Sequence, residues 1–173
     1  MAKFVPFILK TDDDQKIGVK ITRMKKADAA QTEKEPVWQT NWMSAYIQKD
    51  AFEKYALKTT DGELVALAAY EILENDVMVH ITYIESQPES NPTLTRQKKY
   101  QGIGKAMIAF GIQLSIDANC NGVVVFEAKT DELEQHYIRD FGARPVASLY
   151  PDGPKTFMIA DQAAKDIFSS YLF

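Results

Sequence analysis

Lys99-Tyr100-Gln101-Gly102-Ile103-Gly104-Lys105-Ala106 runs directly into the apolar stretch Met107-Ile108-Ala109-Phe110. Two glycines one residue apart, at the mouth of a helix-forming run, describe a tight turn. Its amide N–H groups converge on an anion at a helix N-terminus, where the helix dipole also favours negative charge. A dinucleotide fingerprint would need a third glycine where Met107 stands, and a Walker loop would need glycine at Lys99 and Ser or Thr at Ala106. The turn therefore reads as a phosphate site of another kind. Its plain alternative is a strand-to-helix turn that uses glycine for positive φ.

Working outward, Ile103 to Ala118 predicts a helix with Met107, Phe110, Leu114 and Ala118 as its buried stripe. Gly111 in its middle costs about 1 kcal/mol against alanine and so predicts a close packing partner. Asn119-Cys120-Asn121-Gly122 ends the helix, and the unbroken run Val123-Val124-Val125-Phe126 suits an interior strand. Upstream, Leu64 to Leu73 and Val77 to Glu85 flank Glu74-Asn75-Asp76 and read as an antiparallel hairpin. Its second strand, the helix and Val123–Phe126 then form a crossover unit with parallel strands. The breaker-rich Ser86–Gln97 between them reads as a loop. Thr130 caps a further helix that ends at Gly142; Pro145–Leu149 and Thr156–Ile159 form a hairpin, and Asp161–Leu172 a last helix.

Before Thr60-Asp61-Gly62, a turn signal, the pattern is less regular. Val5–Leu9 and Ile17–Thr22 predict a hairpin across Asp12-Asp13-Asp14. Lys25 to Glu35 reads as a loop or short surface helix. Pro36 suits the first turn of a helix that carries Trp38, Trp42 and Tyr46 on one side, a stripe read as packing. Asp50 is placed to cap a second helix, Ala51 to Lys58.

The 173 residues suit one domain. A net charge of -4 disfavours a general nucleic-acid binder. The single cysteine, Cys120, cannot form an internal disulfide, which suits a reducing compartment. Phe4 to Leu9 is too short for a membrane span and reads as a strand, so the expected location is cytoplasmic.

With its surroundings the glycine stretch resembles the acetyl-CoA loop of the GNAT N-acetyltransferases: Arg or Gln, two residues, Gly, one residue, Gly or Ala, then a Leu-rich helix. Lys99 to Gly104 fits with Lys99 in place of Arg or Gln; Gln101 to Ala106 matches the letters better but shifts the helix. Ile84-Glu85-Ser86-Gln87-Pro88 looks like the end of the family's fourth strand, and Tyr137-Ile138-Arg139-Asp140-Phe141-Gly142-Ala143 resembles its aromatic helix end. The similarity spans about Glu63 to Ile159. It implies an α/β fold with a mixed, mostly antiparallel sheet, a parallel βαβ crossover and flanking helices. Residues 1–62 would hold the acceptor side and 63–173 the cofactor core. It implies acetyl-CoA as co-substrate, bound by Ile84, Ser86, Lys99, Gln101, Gly102, Ile103, Gly104, Lys105 and Ala106, without a metal. The acceptor would be a primary amine of a small molecule or peptide, attacked directly; a homodimer stays open. With the acidic balance no nucleic-acid partner is expected, nor is a membrane partner. An acyl-CoA-binding regulatory module that has lost catalysis is the alternative.

Acetyl transfer needs a base for the amine, donors for the oxyanion and a proton for the thiolate. In a regular strand His80 shares a face with Thr82, Ile84 and Ser86, and an unperturbed histidine titrates in the useful range. The resemblance places histidine there in arylalkylamine acetyltransferases; a solvent-side strand histidine is the other reading. Glu85 falls on the opposite face and reaches the acceptor only if a bulge rotates it. Tyr137 is the candidate acid, one residue short of the family's tyrosine position, where this chain has Ile138; it could instead be core.

Overall fold

The computed structural model describes residues 1–173. β1 (Phe7–Lys10) and β2 (Lys16–Arg23) form the expected first hairpin, and α1 (Lys26–Gln31) is the short helix of the polar stretch. β3 (Phe52–Thr59), β4 (Leu64–Leu73) and β5 (Met78–Ser86) make an antiparallel meander. The two-residue β6 (Tyr100–Gln101) pairs back with β1 and leads into α2 (Ile103–Asp117). Then come β7 (Val124–Ala128), α3 (Asp131–Phe141), β8 (Arg144–Val146), β9 (Lys155–Ile159) and α4 (Asp161–Ser169). The nine strands lie in the order β6-β1-β2-β3-β4-β5-β7-β9-β8, and only β5 and β7 run parallel. No helix is long and apolar enough to cross a membrane.

The sheet separates two cores. On one face Tyr70, Ala68 and Ile81 pack with Met107, Ile108 and Ile112 of α2 and with Ala164 and Ile167 of α4. On the other, Leu67, Ala69, Phe52 and Ala56 pack with Trp38, Trp42 and Ile47. The close partner demanded by Gly111 is Tyr70: a Cβ built on Gly111 would lie 3.0 Å from Tyr70 Cε1. The same tyrosine donates its hydroxyl to Met107 O at 2.6 Å, which ties α2 to β4 at a fully buried point. Thr130 Oγ1 accepts from the Leu133 amide and Gly142 takes φ 65° at the far end of α3, both as expected.

Two helices expected near the N-terminus do not form. Residues 36–50 are a chain of turns, in which side chains capture the amides that a helix would use. Asn41 Oδ1 accepts from Met43 N at 3.1 Å and Ser44 Oγ from Ile47 N at 3.3 Å. Trp38 and Trp42 are buried, yet Tyr46 is 46% exposed, so the fourfold spacing marks no common face. Residues 52–59 are β3, not a helix. β3 lies between β2 and β4, with Tyr55 and Leu57 in one core and Phe52 and Ala56 in the other. A strand buried on both faces loses its alternation and can mimic helical spacing.

Candidate active site

β4 and β5 pair from Leu73↔Met78 to Tyr70↔Ile81, and then Ala69 pairs with Tyr83. Thr82 is the extra residue of a β-bulge, which bends the strand and reverses the alternation beyond it. His80, Tyr83 and Glu85 consequently share the face of Glu71, Ala69 and Leu67, opposite α2. Ile84 and Ser86 fall on the α2 face, where Ile84 packs against the larger core. The regular-strand expectation that groups His80 with Ile84 and Ser86 is thus corrected, and the bulge supplies the rotation that brings Glu85 to the side of His80.

The bulge sits where β5 parts from its parallel neighbour. β5 and β7 pair only at Val79↔Val124 and His80↔Val125, and from Ile81 to Ser86 β5 has a ladder on its β4 side alone. The result is a strand edge open toward β7. α2 runs back against these two strands, so its N-terminus lies at the end where they separate. Gly102 precedes it at φ 80°, and no side chain caps it. The first helical bond is Ala106 N to Gly102 O at 3.1 Å, leaving the amides of Ile103, Gly104 and Lys105 without an acceptor in the helix. A Cβ at Gly102 or Gly104 would meet nothing within 4 Å. Both positions are therefore open at the surface, while Ile103 and Ala106 point into the core.

The basic residues of the stretch are engaged elsewhere. Lys99 Nζ lies 2.8 Å from Glu63 Oε2, Tyr100 donates its hydroxyl to Glu63 Oε1 at 2.8 Å, and Gln87 Nε2 donates to Oε2 at 2.9 Å. Burial pushes the Glu63 carboxyl up, but these three donors more than offset it and hold it below its ordinary range. The Glu63 hydrogen bond in turn raises Lys99. This knot holds the strand that enters the glycine turn, together with the pairing of Gln101 to Leu9. Lys105 reaches back over the Tyr171 ring, 5.9 Å from its centre.

On the sheet face opposite α2, His80 is buried, and its Nε2 lies 2.7 Å from Glu127 Oε2 of β7. Glu127 is the residue that sequence reasoning missed. It is the second residue past the last β5–β7 pair, and only the hint of a carboxylate ending the apolar run Val123–Phe126 marked it. Glu85 is also buried, and three donors take both its oxygens: Gln39 N at 2.6 Å, Trp42 Nε1 at 2.8 Å and Thr40 N at 3.1 Å. It anchors the irregular segment over the sheet. Tyr137 turns inward, edge-on to Phe126 with ring centres 4.6 Å apart, and burial raises its hydroxyl. Its neighbour Ile138 is 39% exposed, so Tyr137 is the one of the two that faces β7.

A mixed sheet whose single parallel pair splays open beside an uncapped, glycine-led helix N-terminus is the fold of the GNAT acetyltransferases. Solved structures of that fold superpose on most of the chain. A Corynebacterium glutamicum protein described as histone acetyltransferase HPA2 and related acetyltransferase has 16% identity and a TM-score of 0.54, covering 82% of this chain and 96% of its own. The spermidine/spermine N-acetyltransferase SpeG of Vibrio cholerae has 11% identity and a TM-score of 0.55 over 88% of this chain and 96% of its own. A GNAT-family acetyltransferase from Staphylococcus aureus has 10% identity and a TM-score of 0.53 over 81% and 97%. At such identities the likeness is one of fold. No family model and no curated protein matches the sequence.

Proposed function

We propose that the chain is an N-acetyltransferase, moving an acetyl group from acetyl-CoA to a primary amine of a small molecule or peptide by direct attack. The observation that carries this reading is the coincidence of the open β5 edge with the free amides of α2. The residues at that turn fit a pyrophosphate, because the two exposed glycines leave room for it against the amides of Ile103, Gly104 and Lys105. The open edge from Ile81 to Ser86 would pair with the amide-bearing arm of the cofactor and offer N–H donors to the oxyanion. Bound acetyl-CoA supplies the thioester.

His80 is the base of this reading and Tyr137 the proton donor to the departing thiolate. Glu85, with both oxygens engaged, serves as the anchor of the acceptor-side segment. A polyamine acetyltransferase among the structural neighbours supports an amine acceptor. The test is a thermal-shift titration with acetyl-CoA, followed by thiol release over a panel of amines that includes spermidine. Stabilisation by acetyl-CoA together with amine-dependent release is the expected result. Stabilisation with no amine acetylated would make the chain an acyl-CoA-binding regulatory module, and stronger stabilisation by ATP than by coenzyme A would overturn the cofactor assignment.

A further inference from the structure

The 2.7 Å approach of His80 Nε2 to Glu127 Oε2 requires a proton between the two atoms. With the carboxylate ionised, that proton belongs to Nε2, and in the neutral ring Nδ1 is then the acceptor. Glu127 Oε1 is sealed from solvent without a partner, whereas Nδ1 makes no hydrogen bond within the chain and is not among the sealed atoms. Of the four heteroatoms in the pair, Nδ1 is the one left free to receive a proton.

We propose that Glu127 is the positioning residue of the transfer site: through Oε2 it holds His80 as the Nε2–H tautomer, so that Nδ1 faces the acceptor amine as base. The catalytic half of this proposal rests on the acetyl-transfer reading; the tautomer does not. The acceptor ammonium gives one proton to Nδ1, and the neutral amine attacks the thioester carbonyl. Collapse of the tetrahedral intermediate breaks the C–S bond. Tyr137 protonates the departing thiolate and is restored by the second amine proton, and Nδ1 returns its proton to water. Glu127 stabilises the imidazolium between those two events.

The titratable groups around the pair are of one kind. Glu71 of β4 stands opposite His80 in register, and Tyr83 shares the β5 face. Burial raises the Tyr150 hydroxyl, and the Glu127 and Glu71 carboxylates are among the groups that raise it further. Register places two cations on this face: Lys54, which donates Nζ to Lys49 O at 3.3 Å, and Arg144, whose Nη2 is 3.8 Å from Met158 Sδ three strands from β5. Neither Glu71 nor Glu127 pairs with a lysine or arginine. An imidazolium formed at His80 therefore stands against Glu127 and opposite Glu71, two carboxylates not committed to a lysine or arginine.

The chain has two histidines, and the second is an internal reference. His136 is held through its other nitrogen, Nδ1, 2.6 Å from Asp140 Oδ2. In a 15N imidazole correlation spectrum of the whole protein above pH 8, His80 is expected as Nε2–H and His136 as Nδ1–H, with His136→Gln assigning the signals. Glu127→Gln offers both a donor and an acceptor, so His80 should become a mixture of tautomers. Its kcat should fall about 100-fold or more, by analogy with the wrong-tautomer effect in serine proteases, while the KM for acetyl-CoA stays unchanged. The acidic limb of its pH–rate profile should move to lower pH, because the imidazolium has lost its counter-charge. Glu127→Asp should restore the Nε2–H signal in part. An Nδ1–H signal from His80 in the wild type overturns the proposal, and so does wild-type kcat with an unmoved acidic limb in Glu127→Gln. Should that variant not fold, the wild-type spectrum alone decides. Absence of any acetyl-CoA binding would strike the acetyl-transfer reading and leave the tautomer measurement standing.

Discussion

Gly104→Leu separates the ligand from the fold. Gly104 lies in the first turn of α2, outside the positive-φ region that Gly102 occupies, and a Cβ there meets no atom within 4 Å. Replacement should leave the free protein as stable as before, or more stable by up to about 1 kcal/mol from helix propensity. The cost falls on the cofactor. If the amides of the first turn bind the pyrophosphate, a leucine side chain stands in its path, and losing one or two charge-assisted hydrogen bonds of about 1.5–3 kcal/mol each weakens binding by about 100-fold. At acetyl-CoA of about 100 times the wild-type Kd, linkage stabilises the wild type by about 2.7 kcal/mol. For a chain of this length that is a rise in Tm of about 5–10 °C. The variant at the same concentration would sit near its own Kd and gain about 0.4 kcal/mol, a shift of about 1 °C. Differential scanning fluorimetry with and without acetyl-CoA reads both numbers. An unchanged Tm without ligand and an undiminished shift with it would refute the placement of the pyrophosphate.

Glu85→Ala strips the acceptor from three donors and should destabilise by about 3 kcal/mol, read by urea denaturation; a cycle with Trp42→Phe should show coupling of about 0.5–3 kcal/mol, and additivity would deny the anchor. Gly111→Ala gains helix propensity but drives a methyl to 3.0 Å from Tyr70 Cε1, so a net loss of about 1 kcal/mol is expected, turning to a gain in a Tyr70→Leu background. Glu63, with its carboxyl held down, contributes stability that is present above its ordinary unfolded value and is lost as pH falls through the lower folded value. Glu63→Gln should therefore lower Tm at neutral pH, by about 1 kcal/mol in stability, and flatten the fall of Tm below about pH 4.5.

The second half of the chain was legible because its signals are local. Gly102 and Gly142 do take positive φ, Thr130 does cap, and a helix does follow Gly102. Of its expected stripe, however, only Met107 is buried: Phe110 and Leu114 are half-buried, Ala118 lies past the last turn, and the buried face runs through Ile108, Gly111, Ile112 and Ser115. Residues 36–59 were not, because their structure is set by partners far away in sequence. Trp42 is placed by Glu85, 43 residues on, and the amide of Gln39 by the same carboxylate. No window of sequence holds both ends of such a bond, and the spacing of Trp38, Trp42 and Tyr46 mimics that of a helix. β3 failed for a related reason: flanked by strands and buried on both faces, it shows no alternation to read. The pairing of His80 with Glu127 is of the same long-range kind, 47 residues apart.

Thr82 joins these two halves of the problem. One extra residue in β5 bends the strand where it leaves β7, and the same insertion turns Glu85 from the α2 face to the opposite one. There Glu85 collects Gln39, Thr40 and Trp42 and folds the irregular segment over the sheet. The open edge and the wall that faces it are consequently products of a single irregularity. Without the bulge Glu85 would point into the apolar core under α2, where its charge would have no donors. Residues 38–42 would in turn lose the carboxylate that satisfies their amides. The bulge is thus under a structural constraint independent of chemistry. Deleting Thr82 should unfold the irregular segment over the sheet as well as close the edge, an outcome that hydrogen exchange at Gln39 and Thr40 would register directly.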